Sequence, residues 1–546
     1  MISILKRSHV NERNLVAILI ASVVVLSVSL TPVVALNASM SQAAVGGQSS
    51  DLPAIAPLNP AWLAFEQNLT AGKAIVTTTA TGNPLGYIPG PVNLNHLKGK
   101  KASYAAQTQP YPESYDLRKM GKVTSVKEQN PYGTCWAFGA FGSLESFLLP
   151  AQTWDFSEWN LVMNSGFDIP WSKGGNQFMS LAYLARWSGP VNGVDDPYPG
   201  GSVRSVRESV YPVQKHTQDV YFLPERTSST DNDNIKWGLM KFGGLDARFY
   251  WATKYYSSFP PAYYNPENTD LNHEVTLVGW DDNYPATNFK GFAGAPPGNG
   301  AFIVKNSWGT GWGDRGYFYI SYYDTSLQQS TAFTAESASN YYAVYQYDPL
   351  GWVNSAGYLD RTAWAANVFP ADSSANLLTA VSFYTTDMNT QYEVYIYTDP
   401  TSGPLGGREY VGPKGTLPLA GYHTVKLASP VVLSAGQRFS VVVKFITSGY
   451  DYPLALECAE TGYSSKATAS FGQSYVSQDG SIWVDIRNYY PTANVCIKAF
   501  TSQKRAFTSQ KPDEVKLENI NVGNEEAIAF GSAFAESSVK IVANQQ

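Results

Sequence analysis

The thiol with the most chemical context in this sequence is Cys135, within Gln129-Asn130-Pro131-Tyr132-Gly133-Thr134-Cys135-Trp136-Ala137-Phe138. After it, apolar residues at 138, 141, 144 and 148 recur at helical spacing, interrupted by Gly139 and Gly142. The pattern predicts a loop-to-helix junction at Cys135, where the positive end of the helix favours an anion. A free thiol titrates near about 8.5, and helix ends or a cationic His bring such groups to roughly 3.5–7.5. Gln129, in the preceding loop, is placed to aim a side-chain N–H at a developing oxyanion. One such donor contributes about 3–4 kcal/mol in the transition state. A thiolate of this kind is a nucleophile and needs a base. Of the five histidines, His273 alone opens a β-branched run, Asn272-His273-Glu274-Val275-Thr276-Leu277-Val278-Gly279-Trp280. A strand of that composition holds the imidazole at the edge of a rigid element. His9 lies in the N-terminal apolar region, His96 in an extension, His216 in a polar stretch without an apolar scaffold, and His423 in a β-rich C-terminal part.

These segments resemble the papain-like cysteine peptidases. That family places a Gln ahead of the pattern C-G-[SA]-C-[WY], with its His roughly 130–150 residues downstream. Tyr132-Gly133-Thr134-Cys135-Trp136 keeps Gly, Cys and Trp, has Thr for Ser, and lacks the first Cys. Phe156-Ser157-Glu158-Trp159-Asn160-Leu161-Val162 is similar to L-S-E-Q-x-L-V, with Asn164 where a Cys would follow. Ser172-Lys173-Gly174-Gly175 is similar to C-x-G-G, again without its Cys. Val304-Lys305-Asn306-Ser307-Trp308-Gly309-Thr310-Gly311-Trp312-Gly313 is similar to K-N-S-W-G-x-x-W-G.

The resemblance implies a two-lobed α+β fold, a helical lobe plus a β-barrel lobe, over residues 111–325. It also implies roles: Cys135 as nucleophile, His273 as base, Asn306 as its orienter, Trp308 as cover for that hydrogen bond, and Gln129 in the oxyanion hole. Gly174 and Gly175 would face substrate main chain. Asn306 comes later than the family spacing, which a lengthened hairpin loop over 281–300, rich in Pro, Gly and Asn, explains. Glu274 stands where relatives often carry Ala, and this departure has no account in the sequence.

Around the site the chain divides by composition. Lys6, Arg7 and Arg13 precede an apolar stretch from Leu15 to Leu36, so residues 1–36 read as an export signal or a retained anchor. Residues 37–110 read as a linker and a propeptide-like extension or strap, with Asn59-Pro60-Ala61-Trp62-Leu63 and Gly86-Tyr87-Ile88-Pro89-Gly90-Pro91 embedded in it. They show no helical inhibitory propeptide pattern. Over 340–500 the period changes to two, as in Phe439-Ser440-Val441-Val442-Val443-Lys444-Phe445, which predicts a β-sandwich or jelly roll. This part resembles the lectin-like domain of some exported peptidases. Trp352, Trp364 and Trp483 are available to stack on sugars or to fill the core. Cys458 and Cys496 pair with each other or stay as two buried thiols. Residues 501–546, entered through a tandem Ala-Phe-Thr-Ser-Gln-Lys whose copies start at Ala499 and Ala506, read as a flexible tail.

The 546 residues carry a net charge of −6, with 15% charged and 14% aromatic residues and no dense basic run. This excludes a nucleic-acid partner and suits an exported, β-rich protein. No cofactor is implied, and no His/Cys group has the spacing of metal ligands. The expected partners are protein or peptide substrates and, through the C-terminal domain, glycans. A membrane would be met only through an N-terminal anchor, and the location is secreted or at the cell surface. Two other readings follow from the same residues: a non-catalytic surface adhesin, and a thiol acyltransferase that cross-links amines.

Overall fold

The computed structural model describes residues 52–503, apart from 74, 76–77, 102–109, 201–210, 268–269 and 373–375. The expected export segment and the tail beyond Gln503 lie outside the described residues.

Helix α1 (Pro60–Thr70) belongs to the extension, where the sequence reading expected no helix. Its signals were present: Asn59 caps the Ala61 N–H with its side chain, and Pro60 occupies the first turn. Helix α2 (Cys135–Leu148) begins on the expected Cys and buries every residue except Phe147. A helix apolar all round must be enclosed. Its glycines allow the enclosure, since a Cβ at Gly139 would lie 2.4 Å from Asp246 Oδ1 and one at Gly142 2.2 Å from Thr276 Oγ1. Helix α3 (Glu158–Met163) is capped by Ser157, and α4 (Gln177–Ala185) by Asn176, which accepts from the Phe178 and Met179 N–H groups. Helix α5 (Asp233–Phe242) completes the helical complement that matters here.

The sheet of this domain comprises β1 (Val220–Phe222), β2 (Leu245–Phe249), β3 (His273–Asp281), β4 (Ala301–Lys305), β5 (Tyr317–Ser321) and β6 (Gln328–Phe333), and α2 packs on β2, β3 and β6. Strand β3 runs antiparallel between β2, where Phe249 faces His273, and β4, where Thr276 faces Lys305. The β3–β4 hairpin carries the long loop expected from its Pro, Gly and Asn content. Its strands are buried on both faces, which their continuous apolar character requires.

The C-terminal half is a two-sheet arrangement, as its period-two patterning predicts. Strands β7 (Thr362–Pro370), β8 (Asn376–Thr385), β9 (Thr390–Thr398), β10 (Arg408–Leu417), β11 (Ala420–Leu433), β12 (Arg438–Ile446), β13 (Ser474–Ser477), β14 (Val484–Asp485) and β15 (Ile497–Gln503) form it. One sheet has the order β10-β9-β12-β7-β13-β14, and β15-β8-β11 lie in the other. The second sheet does not stop at the domain edge. Strand β11 pairs with β1 (Ala420 opposite Phe222, Tyr422 opposite Val220), and β1 pairs in turn with β6. A single 13-stranded sheet thus passes from one domain into the other. The junction needs Gly421, where a Cβ would meet the Val220 carbonyl oxygen at 2.0 Å. The core crosses the same boundary: Trp136, Phe178 and Phe222 share one apolar cluster with Trp352, Phe383 and Tyr384.

Three sequence readings resolve here. Cys458 and Cys496 are both buried free thiols. Trp352 is only 2% exposed and packs edge-on to Phe178, so it is core and cannot reach a sugar. His216 is not in a polar, unscaffolded stretch: it is buried and stacks flat on Trp187, 3.7 Å between centroids.

Candidate active site

Cys135 is the first residue of α2, and its thiol is fully buried. The Glu274 and Trp136 main-chain amides both hydrogen-bond to the sulfur, which favours the anion and sets the thiol beside the residue that follows His273. His273 opens β3, and its Nε2 donates to Asn306 Oδ1 at 2.9 Å. That carboxamide oxygen also accepts from the Ser307 N–H at 2.8 Å, which fixes the acceptor end of Asn306 towards the ring. Trp308 stacks on the imidazole, 4.7 Å between centroids at 24°, and screens the His–Asn hydrogen bond from water. Trp251 and Trp312 brace Trp308 edge-on. With Nε2 held by Asn306, Nδ1 is the ring nitrogen left for proton exchange with a nucleophile.

Gln129 is fully buried. Its Oε1 accepts from Ser307 Oγ at 2.6 Å and its Nε2 donates to the Tyr132 carbonyl oxygen at 2.9 Å. The orientation of the amide is thereby fixed, and its second N–H is unengaged among the described residues. Below this loop, Lys127 bridges Glu145 (2.9 Å) of α2 and Glu158 (2.7 Å) of the Phe156-Ser157-Glu158 motif. Burial pushes the Glu158 carboxyl up to about 7. The candidates Cys135, His273, Asn306, Trp308 and Gln129 therefore belong to one connected group, tied together by Ser307. Sequence reasoning gave Ser307 no role.

Gly174 and Gly175 adjoin that group, for steric reasons. A Cβ on Gly175 would meet the Trp136 ring at 2.5 Å, and one on Gly174, whose φ is 140°, would meet the Gly86 carbonyl oxygen at 2.6 Å. Gly175 hydrogen-bonds the main chain of an extended segment: its N–H donates to the Gly86 carbonyl and its carbonyl accepts from the Ile88 N–H, both at 2.9 Å. That segment comes from this chain. Residues 84–88 of the extension cross the cleft parallel to Gly175, with Tyr87 between the two hydrogen bonds. The Gly86 and Tyr87 N–H groups donate to the Asn272 carbonyl, and Trp308 Nε1 donates to the Pro84 carbonyl. The strap fits only because Gly86 and Gly133 both lack side chains, a Cβ on Gly86 coming within 2.3 Å of Gly133 backbone.

Glu274 now has an account. It is fully buried and accepts from Arg248 Nη2 at 2.8 Å, and the same guanidinium pairs with Asp246. Asp246 and Glu274 thus converge as two buried carboxyls on one cation. Burial raises both, Asp246 to about 6. The cluster lies against Gly139, one turn beyond Cys135. With the strap in place, burial dominates the titration of the site. It pushes the Cys135 thiol well up, aided by the Glu274 and Asp246 charges, and His273 down to about 4 against the pull of Asn306. In the covered form both shifts disfavour the charged pair of thiolate and imidazolium.

Comparison with known proteins agrees with this arrangement. Residues 111–337 match the papain family cysteine protease model, and residues 344–501 match the lectin-like domain model. The chain is 29% identical over 224 residues to a cathepsin L-like peptidase of Aedes aegypti, covering 38% of this chain and 58% of the relative. It is 28% identical over 245 residues to chymopapain of Carica papaya, covering 42% and 59%. The chain therefore spans under two thirds of the length of these relatives. Among solved structures, it resembles the cysteine protease and lectin-like domains of Cwp84, a surface layer associated protein of Clostridium difficile. The TM-score is 0.68 at 25% identity, with 84% of this chain and 99% of that one covered. A second Cwp84 structure, after propeptide cleavage, matches with a TM-score of 0.63 at 27% identity, over 71% and 99%. This chain carries a papain family cysteine protease domain followed by a lectin-like domain.

Proposed function

We propose that the protein is an exported cysteine endopeptidase, with Cys135 as nucleophile and His273 as acid and base, secreted or held at the cell surface. The observation that carries the reading is the His273–Asn306 hydrogen bond under Trp308, with the buried thiol at a helix start bonded to the neighbouring Glu274 amide. When substrate and water enter, the Cys135 proton passes to His273 Nδ1 and the sulfur attacks the scissile carbonyl carbon. The oxyanion takes the Gln129 side-chain N–H and the Cys135 main-chain N–H, donors held before the charge forms. The imidazolium returns its proton to the leaving amine as the C–N bond breaks. His273 then takes a proton from water, whose oxygen attacks the thioester, and the thiol is regenerated. Asn306 keeps the ring in the productive tautomer throughout.

The strap over residues 84–88 fills the groove that substrate would use and runs in the direction of Gly175. The form with the strap in place is accordingly read as a latent precursor. Its removal would re-wet the cleft and let the thiolate–imidazolium pair form. Trp364 and Trp483, half-buried at the outer sheet of the lectin-like domain, are the aromatics left for a glycan.

The test uses the full chain with a thiol-directed epoxide probe and an unfolded protein substrate. Labelling and cleavage that both vanish in Cys135→Ala support the reading, and cleavage equal in that variant overturns it. In His273→Ala, turnover is expected to fall by about 10²–10⁴, the contribution of a positioned proton donor and acceptor.

A further inference from the structure

The strap does more than cover the cleft, because one of its side chains probes the wall beneath it. Tyr87, between the two hydrogen bonds to Gly175, is buried, and its hydroxyl donates to Gln329 Oε1 at 3.3 Å. Gln329 is an unusual residue in two respects. It lies at the irregularity in β6 where the pairing with β2 shifts between Gln328 and Thr331. Its φ is 51°, a left-handed conformation that a side chain with a Cβ seldom adopts. Such conformations persist where surrounding structure enforces them, and they concentrate at binding sites.

The enforcing group is visible. Arg248 Nη1 donates to the Gln329 carbonyl oxygen and, at 2.9 Å, to Thr331 Oγ1, so the guanidinium spans the bulge. Its other nitrogen is fixed by Asp246 and Glu274, and all three side chains are fully buried. The Gln329 side chain is fixed as well. Glu225, itself 7% exposed, takes a hydrogen bond from the Gln329 amide. A carboxylate only accepts, so the amide nitrogen must face Glu225 and the amide oxygen must face Tyr87. The slot beside Gly175 thus ends in a preset acceptor, held by a chain of contacts that runs from the Asp246–Glu274 pair through Arg248 to the bulge.

We propose that this slot is a tyrosine-selecting subsite: a substrate residue with an aromatic ring and a terminal hydroxyl donor takes the place of Tyr87, and Gln329 is the residue that discriminates. The proposal rests on the peptidase reading above and names its substrate class. A phenylalanine in the same place leaves the half-buried Gln329 Oε1 without that donor. A site built for a hydroxyl rejects the analogue that lacks it for that reason.

The test offers the full chain a set of peptides identical except at one position, which carries Tyr, Phe, Leu, Lys or Arg, and moves that position along the peptide. Cleavage rates are read by mass spectrometry. At one position the Tyr peptide is expected to be cut about fivefold faster than the Phe peptide, the effect of one neutral hydrogen bond. Gln329→Leu is expected to bring that ratio to about one or below. Cleavage with Tyr and Phe equal at every position, a preference for Lys or Arg, or a ratio unchanged in Gln329→Leu overturns the subsite and leaves the peptidase reading standing. No Cys135-dependent cleavage of any peptide, either by the full chain or after proteolytic removal of the strap, sinks both. A second measurement does not depend on Gln329 variants folding. Tyr87→Phe in the full chain removes one oxygen from the strap and is expected to raise the rate of epoxide labelling at Cys135 about fivefold. Labelling at the unaltered rate counts against the proposal.

Discussion

At the scale of single residues, the site is governed by what burial does to charge. Arg248 is the clearest instance, a fully buried cation balanced by two buried carboxyls. Removing the cation leaves an uncompensated buried negative charge, so Arg248→Leu is expected to destabilise the fold by about 3–5 kcal/mol. A shift of the denaturant midpoint to lower concentration would register this; a midpoint unchanged from the parent would contradict it. Protonation gives a second expectation. His273 is held at about 4 and His96 of the extension is also lowered, in both cases by burial. The covered form therefore binds fewer protons than the open form between about 6.5 and 4, and acid favours opening. Glu225, raised by burial, pulls the other way through its own range. Hydrogen-exchange protection of the Ile88 and Gly175 amides, corrected for intrinsic rates, should fall as pH drops from about 6.5 towards 4. Constant protection over that range would count against it.

At the scale of elements, close approach decides the architecture. Helix α2 lies on β2 and β3 because positions 139 and 142 lack side chains, and the strap lies in the cleft because Gly86 faces Gly133. Adding a methyl to the strap should expel it without touching the cleft walls. Gly86→Ala is expected to speed epoxide labelling of Cys135 in the full chain, with thermal stability within a few degrees of the parent. Slower labelling would show that the strap does not limit access. In contrast, Gly139→Ala presses on Asp246 and Glu274 inside the fold and is expected to cost about 1–3 kcal/mol, the usual range for overpacking. Thermal or denaturant unfolding measures that difference.

At the scale of the whole molecule, the two domains share a sheet and a core. Strand β11 of the lectin-like domain extends the sheet of the protease domain through β1, and Trp352 packs with Phe178 and Phe222. Units joined in this way unfold together, so calorimetry on the full chain is expected to show one transition for both domains. Gly421→Val places a side chain where Val220 backbone passes and should lower that transition or split it in two. Two well-separated transitions in the unmodified protein would refute the coupling.

The sequence by itself determined the chemistry-bearing residues, because each lies in a short contiguous motif whose local geometry is set by neighbours. Cys135 opens a helix, His273 opens a β-branched strand, and Asn306, Ser307 and Trp308 directly follow the partner strand of a hairpin. The period-two patterning likewise announced the sandwich. Asn59-Pro60 also marks a helix start, legible from the cap and the proline alone. What only the tertiary structure decided depends on residues far apart in the chain. The Glu274 departure makes sense only beside Arg248 and Asp246, which arrive on β2, and the role of Ser307 appears only when Gln129 reaches it. The strap's place in the cleft, the direction in which burial shifts Cys135 and His273, and the left-handed Gln329 beneath Tyr87 all follow from long-range contacts. Local spacing encodes which groups are available; exclusion of water by distant segments sets their protonation and what they touch.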